Sequence, residues 1–272
     1  MNRPMRTTNF FTSLPVCATI ILTICSSVIF LSFYFGSSTL TITPTTTITT
    51  EEKQERNYYN NIFNHIAAFA QKDEDSSSKN PIIKNSRILD FAGSNYADVV
   101  NSNEINLNSF TVSVWFNTEM NVTGRDVAFL VNKGGFGTER EGFNLNYGLW
   151  LDNRERVTGG FETLTGDDFF INSQAPYADG LWHNAILTFD EKLHLLNLYI
   201  DGLEVATNST LVGITPDNTG NQSVRLGANS FEDKGPINGN YTGQLDDIQV
   251  WDFAFTKPQV TSLFETESKM TR

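Results

Sequence analysis

Cysteine is nearly absent from this 272-residue chain: Cys17 and Cys25 are the only two, and both lie in an apolar N-terminal stretch. Everything after Cys25 lacks a thiol, which excludes disulfides, cysteine-ligated zinc and a thiol nucleophile from the rest of the chain. Histidine is scarce as well, with only His65, His183 and His194. Charge is thin at 18% and unevenly spread, because residues 1–50 carry only Arg3 and Arg6. Residues 51–272 therefore hold 17 basic against 31 acidic groups, a net charge of −14. That balance excludes a nucleic-acid binder, which needs a basic face against phosphate. No internal sequence repeat is present.

What the N-terminus does hold is length without charge. Nothing between Thr7 and Thr50 is charged, and Leu14 to Phe35 is a 22-residue apolar run, where about 20 residues suffice to cross a bilayer. Arg3 and Arg6 precede the run and Glu51 and Glu52 follow it, so the positive-inside rule predicts a single-pass span, a cytoplasmic N-terminus and an extracytoplasmic remainder. The alternative is a long signal peptide cleaved near Ser37 or Thr39 and a secreted product. Residues 39–50 contain eight threonines and Pro44, a composition that builds a stalk rather than a core. Tyr59, Ile62, Phe63, Ile66 and Ala70 follow with the spacing of a short helix, and the polar stretch from Lys72 to Pro81 ends it. The division expected is an anchor or signal over 1–36, a stalk with a short helix and linker over 37–84, and a folded domain over 85–272.

From Asn85 onward the helical period gives way to alternation. Phe110, Val112, Val114 and Phe116 interleave with Thr111, Ser113, Trp115 and Asn117, the period-2 signature of a two-faced strand. Similar segments are Ile88–Phe91, Tyr96–Val100, Asp126–Asn132, Phe143–Leu151, Val157–Phe161, Trp182–Phe189, Leu193–Ile200, Ser223–Gly227 and Leu245–Trp251. Asp201-Gly202 between Ile200 and Leu203 is the favoured pair for a type I′ hairpin turn. Many short strands without alternating helices predict an all-β, antiparallel two-sheet jelly-roll sandwich, preceded by one transmembrane helix and a stalk.

Six segments, in order, carry a family resemblance: Leu89 to Tyr96, Ser109 to Phe116, Gly180 to Ala185, Leu198 to Gly202, Val224 to Gly227, and Tyr241 to Trp251. Their order resembles the laminin G-like members of the concanavalin A-like lectin superfamily over about Ile88 to Phe264. The resemblance implies a jelly roll that binds sugars or proteins, often with a calcium ion, and rarely catalyses a reaction.

The residues themselves offer little for catalysis. No Glu is followed two positions later by Asp, the spacing that often sets the two carboxylates of a retaining glycosidase on one strand face. Glu139 with Glu141, and Glu232 with Asp233, lie in glycine-rich, loop-like sequence that would not hold their separation. If Asp190 to Lys192 forms a turn, His183 and His194 sit at opposite ends of their strands and cannot share a metal. Each shares parity with apolar neighbours and reads as a core histidine with a satisfied ring. Tyr147 and Trp150 are candidate stacking platforms for a pyranose, but their opposite parity puts at most one on a given face. Trp115, Trp182 and Trp251 read as packing residues. Four sequons, at Asn121, Asn208, Asn221 and Asn240, agree with an exported domain.

One metal expectation remains. Asp246 shares parity with Ile248 and Val250, so its carboxylate is expected to face inward and to need donors, a basic partner or a metal. By the resemblance, this closing Asp lies near the opening turn, bringing Asp246 and Asp247 close to Asp90 and Asn95 as oxygen ligands for a structural calcium ion. The alternative is that Asp246 accepts backbone N–H bonds from that turn. The function expected is a membrane-tethered, non-catalytic module for a glycan. A protein-binding adhesion module is the alternative and a divergent glycoside hydrolase a third.

Overall fold

The computed structural model describes residues 80–122, 127–135, 140–229 and 239–270, all within the compact unit formed by His65–Arg272. The apolar run, the threonine-rich stalk, the Tyr59–Ala70 helix, His65, Glu139, Glu232 and Asp233 lie outside these residues. Among the described residues no helix is long and apolar enough to cross a membrane.

Among the described residues thirteen strands form two antiparallel sheets. Sheet A has the order β1–β13–β4–β9–β10–β11, from β1 (Ile83–Asn85), β4 (Phe110–Asn117), β9 (Trp182–Asp190), β10 (Leu195–Ile200), β11 (Leu203–Asn208) and β13 (Thr242–Trp251). The short β2 (Leu89–Ala92) pairs with the first half of β13. Sheet B has the order β3–β12–β5–β6–β7–β8, from β3 (Ala97–Val99), β5 (Val127–Lys133), β6 (Tyr147–Asp152), β7 (Arg156–Glu162), β8 (Asp168–Pro176) and β12 (Val224–Leu226). The all-β sandwich is therefore as expected from the alternation. Its first strand begins at Ile83, just ahead of the expected boundary, because Ile83 to Asn85 pair with Val250 to Ile248.

Alternation places one set of side chains between the sheets. Phe110, Val112, Val114 and Phe116 of β4 join Ala185, Leu187 and Phe189 of β9 and Leu149, Leu151, Val157 and Phe161 of sheet B in one buried cluster. Phe161 and Phe189 meet across the sheets with ring centroids 4.5 Å apart. The predicted hairpin is present: Ile200 pairs with Leu203, and Asp201 and Gly202 have φ of 51° and 75°, the left-handed pair that a type I′ turn requires.

Two elements differ from the sequence reading. Strand β8 went unrecognised because its edge position lets polar and exposed residues alternate irregularly. The C-terminal helix α1 (Lys257–Glu267) was also missed, although Thr256 and Gln259 form a reciprocal capping box with a proline in the first turn, a legible helix start. Helix α1 packs on the outer face of sheet A. Trp115 stacks on Phe264 at 5.7 Å and 14°, its Nε1 donates to Glu267 Oε2 at 2.7 Å, and Gln249 donates to Glu267 Oε1. Val260 completes a small cluster with Ile186 and Tyr199.

Candidate binding cleft

Three neighbouring strands of sheet A, β13, β4 and β9, begin or end at the same edge of the sandwich, with Trp251 opposite Thr111 and Phe110 opposite Phe189. The connections leaving that edge enclose a cleft of about 440 Å³, lined by Glu104, Asn106, Asn108, Asp190, Asp252 and Phe253 among others. Its walls are fixed by short-range bonds. Asp190 Oδ1 accepts the amides of Lys192 and Leu193 at 2.9 and 3.0 Å, closing the β9–β10 turn. Ser109 Oγ accepts the Glu191 amide at 3.0 Å, and Asn218 donates to Asn108 Oδ1 at 2.5 Å. Thr111 holds the strand-to-helix connection by donating to the Phe253 carbonyl and accepting the Phe255 amide, both at 2.8 Å.

A second groove of about 330 Å³ adjoins the first and shares Asp190, Phe253 and Ala254 with it. It runs along the part of the sheet A outer face that bears Thr188, Asn197 and Thr207, residues paired in register across β9, β10 and β11. Asn197 Oδ1 accepts the Thr207 hydroxyl at 2.7 Å. Tyr199, at the floor, is pushed up to about 12 by burial and by neighbouring Glu204, so its hydroxyl stays protonated. Half-buried Phe253 stands where the two depressions meet, its ring 5.3 Å from that of Phe255. Buried Asn106 Oδ1 has no hydrogen-bond partner. The arrangement offers amides, hydroxyls and carboxylates around one aromatic ring, which suits a hydroxyl-rich ligand with an apolar face. Sequence reading missed this cleft because its residues are polar loop positions from four separate connections. The Phe253-Ala254-Phe255 run before a capping residue was the available signal.

The expected platforms are not presented. Tyr147 lies in the inter-sheet core, with Phe110 at 5.5 Å and its hydroxyl bonded to the Ile105 carbonyl at 3.3 Å. Trp150 does face outward from sheet B, as the opposite parity required, but it is 3% exposed and packs with Phe129 and Phe170. Trp115 and Trp251 are packing residues as expected, although beneath and beside α1 rather than between the sheets.

The histidines divide. His183 sits at the rim of the core with both ring nitrogens engaged, Nδ1 to Asp201 at 2.8 Å and Nε2 to Asp179 at 3.1 Å. The Asp201 bond outweighs burial and holds the imidazole above the usual histidine range. His194 is not on a strand face: it occupies the turn before β10 with φ of 57°, and its buried Nδ1 has no partner. A turn residue carries no strand parity, which is why the shared-face argument failed there.

Asp90, Asn95 and Asp246, three of the four expected metal ligands, make hydrogen bonds to protein groups. Asp90 pairs with Gln244 across β2 and β13, and Gln244 Nε2 donates to Asp90 Oδ1 at 2.8 Å. Asn95 closes its own turn, accepting the Ala92 amide at 2.7 Å and donating to the Asp90 carbonyl at 2.9 Å. The inward orientation expected of Asp246 is corrected by a bulge: the register with β4 shifts between Asp246 and Gln249, and Asp247 has φ of 44°. Leu245 and Ile248 consequently both enter the core, while Asp246 falls opposite Trp115 and accepts the Asp247 amide at 2.8 Å. No group of three or more His, Cys, Asp or Glu side chains that could hold a metal occurs among the described residues.

A model of the concanavalin A-like lectin/glucanase superfamily matches residues 91–261, and the chain belongs to that family. Mouse pappalysin-1 is 25% identical over 170 residues, which make up 60% of this chain and 10% of pappalysin-1. The chain thus spans about a tenth of that relative's length. Among solved structures, the Ruminococcus gnavus IT-sialidase CBM40 domain bound to α2,3-sialyllactose aligns with a TM-score of 0.51 at 15% identity, covering 68% of this chain and 99% of that one. The NanB sialidase of Streptococcus pneumoniae aligns at 0.53 and 15% identity, covering 68% of this chain and 28% of that one. These likenesses establish a lectin-like sandwich.

Proposed function

We propose that this protein is a membrane-tethered, non-catalytic glycan-binding module whose ligand lies in the two adjoining depressions around Phe253. The observation that carries this reading is the aromatic ring at the junction of a polar end cleft and the Thr188–Asn197–Thr207 row. A pyranose presents hydroxyls at its edge and C–H groups on one face, and the site matches both with amide and hydroxyl groups around a ring. The CBM40 neighbour, solved with sialyllactose, supports a carbohydrate as the ligand class. Tethering rests on the uncharged run from Leu14 to Phe35 with arginines before it, which predicts a span with the domain outside.

The test is a glycan-array screen of the full-length chain with free-sugar competition. Binding that free sugar competes away, and that Phe253→Ala weakens by about tenfold, equal to about 1.4 kcal/mol, is the expected result. Failure to bind any glycan, with tight capture of a purified surface protein instead, would replace the glycan reading by an adhesion module. Release of reducing sugar from a polysaccharide would overturn the non-catalytic part. Extracellular protease should degrade residues 51–272 on intact cells and spare the N-terminus, whereas mature protein starting near Ser37 would show a cleaved signal.

A further inference from the structure

We infer that the Phe253 cleft selects an uncharged or amino-bearing glycan and rejects sialylated, uronic or sulfated ones. This rests on the glycan reading above and names the ligand class within it. Among the described residues the end cleft is lined by the carboxylates of Glu104, Asp190 and Asp252 against one cation, Lys192. In the adjoining groove Glu204 lies 4.0 Å from Lys257, so that pair adds no net charge. The formal charge of the described lining is thus net negative. Sugar hydroxyls and ammonium groups supply donors, whereas a carboxylate or sulfate on the ligand supplies only acceptors and a like charge.

A further feature points the same way. The chain beyond residue 50 carries a net charge of −14, so the long-range field also repels anions approaching the cleft. Like-charge repulsion at an open cleft is screened over about 8 Å at physiological ionic strength, which makes the discrimination salt-dependent.

Matched pairs of oligosaccharides, each with and without a terminal sialic acid or sulfate, are titrated against the full-length chain at low and high salt. The expected result is binding of the neutral member at least about tenfold tighter, with the ratio narrowing as salt rises. In the double variant Glu104→Lys/Asp252→Lys, the ratio of neutral to anionic affinity should fall at least about tenfold, whatever happens to the absolute affinities. Equal binding of both members, or tighter binding of the anionic one, overturns the inference while leaving the glycan reading standing. Absence of binding by every oligosaccharide overturns both.

Discussion

The outer face of sheet A is one surface with two fates. Its half around Trp115, Ile186 and Tyr199 is sealed by α1, where the Glu267 carboxylate accepts both Trp115 and Gln249. Its half around Thr188 and Asn197 is left beside a groove. The difference is one of side-chain size and polarity on the same strands. Large apolar rings offered enough area for a helix to gain by docking, whereas threonines and an asparagine offered hydrogen bonds that a helix face cannot return. Closed structure and open site thus share a scaffold.

Breaking the closed half should have the largest effect. Trp115→Ala removes a 5%-exposed ring from beneath α1 and is expected to cost about 3–5 kcal/mol in urea denaturation. Glu267→Ala, which leaves the Trp115 N–H and the Gln249 amide without this acceptor, should cost about 1–3 kcal/mol. If both variants unfold like the parent chain, α1 does not seal that face.

The hairpin that seats the helix gives a smaller effect. A Cβ on Gly202 would stand 2.8 Å from the Phe264 ring at a φ of 75°. Gly202→Ala should therefore cost about 1–2 kcal/mol from the left-handed backbone alone, and Trp115 fluorescence should report a displaced helix. An unchanged emission spectrum would show that the hairpin and helix are not coupled.

The same hairpin carries a pH dependence. His183 bridges Asp201 in the turn and Asp179 before β9, with Tyr177 edge-on at 4.9 Å and Phe116 at 5.8 Å. Since its folded-state pKa is raised above the unfolded value of about 6.5, its stabilisation is full below that pH and is lost as pH climbs through the folded pKa. Denaturation midpoints across that window should fall with rising pH, and His183→Gln should flatten this component. A slope retained in His183→Gln would assign it elsewhere.

The smallest effect is expected at the β2–β13 edge. Asp90 and Asn95 already bond to protein groups and Asp246 accepts an amide at the bulge, so EDTA should leave the melting temperature of the full-length chain unchanged. A fall reversed by calcium would give these residues the metal role that the family resemblance implies.

The sandwich itself was readable because strand alternation is a local property: β4, β9 and the Asp201-Gly202 turn each announce themselves within a few residues. The capping box of α1 was equally local and was passed over because its helix carries a weak apolar stripe. Parity arguments held wherever strands ran regularly, as for the opposed faces of Tyr147 and Trp150. They failed at Asp246 and His194, where a bulge and a left-handed turn reset the alternation.

Composition and alternation by themselves determined the class of this protein: a cysteine-poor, acidic, two-sheet domain behind an uncharged apolar run. Tertiary structure alone decided where a ligand could lie, because the Phe253 cleft is assembled from four connections that meet only when β4, β9 and β13 end together. No local spacing encodes that meeting. Long-range strand pairing creates it, and the same pairing hides Tyr147 in the core while leaving Phe253 at the junction.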